Sequence, residues 1–132
     1  MLLMKLQSKE KFSFLQLAHY LARVDDIYGE KEEEIIQEYC TEMGIENLTS
    51  FDKNSFDLEE ILNDFKSLKS KKIVILELMI LIHIDRKYHY KEKELIEKII
   101  KKFAFNEEEI KKYSKWGDSV ATLYEEAKSY IK

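Results

Sequence analysis

The chain has 132 residues, one domain's worth, and 26 acidic against 22 basic side chains give a formal charge of −4, which speaks against non-specific nucleic-acid binding because that affinity rests on basic groups neutralising phosphates. No proline and only three glycines remove most of the punctuation of an all-β or loop-rich fold. The one cysteine, Cys40, permits no internal disulfide and sits beside Ile36, Tyr39 and Met43 as a core thiol would, which points to a reducing, cytoplasmic setting.

In chain order, the opening Met1-Leu2-Leu3-Met4-Lys5 is too short and lacks the cleavage site of a secretory leader. A first amphipathic helix is expected over Ser8 to Val24, with Phe14, Leu17, Ala18 and Leu21 on one stripe. After a break at Asp25 to Gly29, a second carries Ile35, Ile36, Tyr39, Cys40 and Met43 and stops at Gly44. A polar loop from Glu46 to Phe56 follows. Asp57, three residues before Glu60, predicts the start of a third helix with the stripe Leu58, Ile61, Leu62, Phe65 and Leu68.

The apolar run from Ile73 to Ile84 is about 12 residues where a membrane span needs about 20, and Glu77 and His83 interrupt it. A buried central helix from about Lys71 is the reading that fits. Beyond a loop at Asp85 to His89, Leu95, Ile96, Ile99, Ile100 and Phe103 stripe another helix. Asn106 and Glu109 open a last stretch in which Ile110, Tyr113, Trp116, Val120, Leu123, Tyr124, Ala127 and Ile131 recur at helical steps, with Gly117-Asp118-Ser119 as a point where it divides.

Two of these segments echo each other. Leu21, Asp25, Tyr28, Lys31, Glu32, Glu34 and Ile36 return as Leu81, Asp85, Tyr88, Lys91, Glu92, Glu94 and Ile96, an offset of 60. The expected architecture is all-α, a compact bundle of six to seven helices in one domain over 1–132, built from two helix–loop–helix units at about 12–45 and 72–105.

The repeated loops hold the candidate chemistry. If the units pack about a pseudo-twofold axis, Asp25, Glu32, Asp85 and Glu92 converge, joined by Asp26 and Glu30. Like charges about 5 Å apart at an effective dielectric near 20 repel by roughly 3 kcal/mol per pair, so such a cluster asks for protons or a cation. All-oxygen ligation suits Ca²⁺ or Mg²⁺, although Ile27 and Lys87 occupy the positions where an EF-hand has a ligand. The structural alternative weighs equally: the aspartates organise the turns, Glu32 and Glu92 bond back to the amides of Gly29 and His89, and Tyr28 and Tyr88 pack over the following helices.

Two further chemistries are weaker. His83, Asp85 and His89 are a possible zinc set without an HExxH motif, and paired carboxylates serving as a hydrolase's acid and base would lack a phosphate loop or nucleophile elbow beside them. Lys91, Lys98, Lys101 and Lys102 form a solvated face or a docking patch, and an exposed Trp116 would strengthen the latter.

The spacing Asp25, Tyr28, Glu32 and Asp85, Tyr88, Glu92 resembles the TerB-like domains, whose two halves each carry an aspartate followed seven residues later by a glutamate. The resemblance spans about Phe12 to Phe105, with Asp26 and Arg86 where the family has a glycine after each aspartate. It implies an all-helical, non-enzymatic module linked to stress responses such as tellurite resistance. It also implies a protein partner, membrane-bound in some members, and a divalent-cation site at Asp25, Glu32, Asp85 and Glu92.

Overall fold

The computed structural model describes residues 1–25, 28–84 and 89–132. Among them every regular element is helical. A 3₁₀ turn at Leu3–Lys5 leads into α1 (Ser8–Arg23) and α2 (Glu30–Met43); a second 3₁₀ turn (Lys53–Ser55) precedes the short α3 (Leu58–Leu62), and α4 (Leu68–His83), α5 (Tyr90–Phe103) and α6 (Glu107–Tyr130) complete the bundle.

The sequence echo is reproduced at the level of helix ends. α1 and α4 both run for 16 residues, α2 and α5 both for 14, each pair displaced by 60. The terminations match bond for bond. The Gly44 N–H donates to the Thr41 carbonyl (3.3 Å) and Ile45 to Cys40 (3.1 Å), while Ala104 donates to Lys101 (3.2 Å) and Phe105 to Ile100 (3.1 Å). Both caps are left-handed, Gly44 at φ 71° and Ala104 at φ 61°, the conformation that closes a helix by satisfying its last carbonyls. Glycine adopts it freely, whereas an alanine Cβ crowds the following carbonyl. Ala104→Gly should therefore raise stability by about 1 kcal/mol in urea unfolding.

α4 is the central element, in contact with α1, α5, α6 and the first 3₁₀ turn. Its buried face is nearly continuous from Ile73 to Ile82, as expected of a helix covered on several sides. No helix among the described residues is long and apolar enough to cross a membrane. Cys40 is buried as expected, beneath α1, where Phe14 meets the Tyr39 ring edge-on at 5.2 Å.

Two expectations need correction. The third helix ends at Leu62 instead of running on through Phe65 to Leu68. Asp57 Oδ1 accepts the Glu60 N–H (3.2 Å) at its start, as expected. The chain then leaves the helix at Asn63 because the polar side chains of the next residues find better partners outside it. Asp64 accepts from the Ser13 hydroxyl (2.6 Å) and pairs with Lys9 (3.3 Å), and Ser67 Oγ caps α4 by accepting the Ser70 N–H (3.0 Å). Phe65 is buried from a turn, and Leu68 opens α4 largely exposed.

The last stretch is likewise one unbroken helix, not two. Gly117 is where it comes close against Met79 of α4, and Gly117 and Ala121, one turn apart, are its buried residues. Trp116 is half-buried, and Leu123 and Ile131 face solvent, so the apolar stripe read from the sequence is only partly a core stripe. The C-terminal half of α6 is held to α2 by polar contacts, Lys128 to Glu34 at 2.9 Å and Lys31 to Glu125 at 3.8 Å.

Candidate functional site

The two loops are built alike. At the start of α2 the Glu32 carboxylate accepts the Gly29 N–H at 3.0 Å, and at the start of α5 the Glu92 carboxylate accepts the His89 N–H at 3.2 Å. Each glutamate thereby satisfies an amide that a helix N-terminus otherwise leaves without a partner, and each is nearly buried, with 6% and 5% of its surface exposed. His89 adds a bond of its own, its Nδ1 accepting the Lys91 N–H at 3.1 Å. That nitrogen is thus engaged with backbone, and His83 Nε2 lies 3.0 Å from the Ser114 hydroxyl.

Asp25 follows α1 in a half-buried turn. Asp85 lies outside the described residues, as do Asp26, Ile27, Arg86, Lys87 and Tyr88. Of the four candidate ligands, Glu32 and Glu92 are therefore seen in equivalent capping roles, and Asp25 stands at its expected loop position. Among the described residues no group of three or more His, Cys, Asp or Glu side chains is arranged to hold a metal ion.

What organises the first loop is a cluster that the sequence reading did not anticipate. Arg23 donates to His19 Nδ1 (2.6 Å), so the ring proton sits on Nε2 and is donated to Asn47 Oδ1 (2.7 Å). Burial lowers the His19 pKa and keeps the ring neutral. The Arg23 guanidinium lies 3.9 Å over the Tyr28 ring, and Phe51 stacks on His19 at 5.8 Å. Tyr28 thus packs back on α1 and not over the following helix, because the cation and the imidazole beside it are the better partners for its face.

A concavity of a different kind lies along the outer face of α1. About 580 Å³ in volume, it runs between α1 and the segment from Ser55 to Asp64. Phe12, 51% exposed, and Phe56 supply its apolar surface, and Asp57, Glu60 and Asp64 its charge. Lys9 is the basic side chain in its lining and pairs with Asp64. A smaller hollow continues it past Phe12 and Phe56 to Phe51 and Asp52. The sequence held one signal for this surface: Phe12 stands two residues from Phe14, about 200° round the helix and off the core stripe.

No family model matches the chain, and no curated protein or solved structure matches it significantly. The chemistry of its surfaces is therefore the ground on which a function is argued.

Proposed function

We propose that the chain is a non-enzymatic helical interaction module, in which the repeated loop carboxylates serve the fold and the groove along α1 receives a basic amphipathic segment of a protein partner. The observation that carries this reading is the exposed Phe12 ring standing in a groove whose other wall bears Asp57 and Glu60. An aromatic ring half in water is an anchor waiting for apolar cover, and a rim in which three carboxylates outnumber the one lysine, itself paired with Asp64, selects a basic partner and steers it in. Glu32 and Glu92, bonded to the N-cap amides of α2 and α5, support the assignment of the loops to structure. Ca²⁺ or Mg²⁺ binding at Asp25, Glu32, Asp85 and Glu92 is the competing reading.

A three-turn amphipathic Lys/Leu peptide and its Glu/Leu counterpart, titrated into the labelled protein and followed by backbone amide shifts, test the groove. The Lys/Leu peptide should shift amides of α1 and of the Ser55 to Asp64 segment, weaken as salt is raised, and lose affinity about tenfold or more on Phe12→Asp. Equal binding of both peptides, or shifts centred on another surface, would contradict the assignment.

A further inference from the structure

A second concavity, between α2, α4 and α6, has a different chemistry. It encloses about 150 Å³, with Ile35, Ile80 and Val120 as apolar wall and Glu38, Glu42 and Glu77 as carboxylates. Glu77 is fully buried, in the middle of the central helix. Its Oε1 accepts the Leu2 N–H (2.8 Å) and lies 3.2 Å from the Met1 ammonium, which also pairs with Glu42. Its Oε2 finds no hydrogen-bond partner among the described residues. A buried carboxylate oxygen left in that state costs free energy that a ligand can recover.

Each side of the cavity narrows what that ligand is. Three carboxylates face one ammonium in the lining, so the net field favours a cation. Glu38 and Glu42, four residues apart, present acids one helical turn apart on the same face of α2. A hard metal ion wants six or more converging oxygens, and no cluster of that kind is formed by the described residues. The branched aliphatic wall offers methylenes the contact that a bare ion cannot use. The space corresponds to about five waters at ~30 Å³ each, the size of a four-carbon amine.

We propose that this cavity binds a short aliphatic amine, its ammonium donating to Glu77 Oε2 and to the Glu38 carboxylate at the mouth and its methylenes lying against Ile35, Ile80 and Val120. The Met1 ammonium against Glu77 Oε1 is the same chemistry already in place on the other oxygen of that carboxylate. The site is independent of the α1 groove and stands or falls separately from it.

The test titrates n-butylamine, n-butanol and magnesium chloride into the full chain near neutral pH, read by calorimetry and by the backbone amides of Ile80, Val120 and Tyr124. Butylamine should bind saturably and shift those amides, while butanol and magnesium should not. Glu77→Gln, which keeps an acceptor for Leu2 but removes the charge, should weaken butylamine about tenfold or more. Val120→Phe, made from a half-exposed position, fills the cavity without touching a carboxylate and should abolish binding, so a poorly folding Glu77 variant does not stall the test. Absence of saturable butylamine binding, equal binding of butanol, or indifference to both substitutions would overturn the proposal.

Discussion

Gly117→Val should lower stability by about 3 kcal/mol and shift the urea midpoint accordingly, although valine has the higher helix propensity of the two. A Cβ at position 117 would stand 2.5 Å from Met79 Cβ, 2.7 Å from the Met79 carbonyl carbon and 2.9 Å from its oxygen. Two of those three atoms are backbone of the central helix and cannot turn aside, so α6 must move off α4. That motion uncovers Ala121, fully buried one turn further on, and opens the α2–α4–α6 cavity. A glycine inside a 24-residue helix costs about 1 kcal/mol in propensity relative to alanine; the close approach to Met79 is what offsets it. Ser119→Ala, on the exposed face of the same helix, is the control and should be neutral within about 0.5 kcal/mol.

Phe65→Ala should cost about 3–5 kcal/mol in equilibrium unfolding, the range for removing a buried aromatic side chain. Phe65 is 2% exposed and meets the Phe103 ring edge-on at 6.2 Å; Phe103 meets Phe105 at 6.1 Å, and Phe105 meets Tyr113 at 6.0 Å. This succession of edge contacts ties the turn between α3 and α4 to the end of α5 and the first turns of α6. Edge-on pairs add about 0.5–1.5 kcal/mol each beyond their burial, so the loss at Phe65 should extend to its neighbours. Phe103→Leu should consequently cost less in the Phe65→Ala background than in the wild type, a coupling that a double-mutant cycle measures.

The helix pairs were legible because their signals are local. The 60-residue echo carries helix length, N-terminal glutamate and C-terminal cap together, and each of these is decided within a few residues. The third helix is shorter than its apolar spacing implies for the opposite reason. Phe65 and Leu68 keep helical spacing, but Ser13 and Lys9, more than 50 positions away, take the Asp64 carboxylate, and no periodicity contains that. On α6 the apolar stripe is visible, yet the two small residues buried in its contact with α4, Gly117 and Ala121, stand outside that stripe. In the sequence Glu77 is an interruption in an apolar run, which speaks only against a membrane span. Its place beside a cavity depends on α2 and α6 closing over it, which is tertiary information. The acidic loops were legible as a pair and their glutamate caps were foreseen; the chain pattern contained nothing to weigh that role against ligation.

The decisive measurement is thermal melting of the wild type, Glu32→Gln with Glu92→Gln, and Glu32→Ala with Glu92→Ala, each with and without excess Ca²⁺ or Mg²⁺. Glutamine keeps the acceptor that bonds to Gly29 and His89 but not the charge an ion needs. A structural role for the loop carboxylates predicts that the glutamine pair melts close to the wild type. The alanine pair should lose about 2 kcal/mol, near 1 for each cap, and neither ion should move any of the three. A wild type raised on the order of 10 °C by saturating Ca²⁺ or Mg²⁺, with the rise absent in the glutamine pair, would contradict the account and make the repeated loops a cation site.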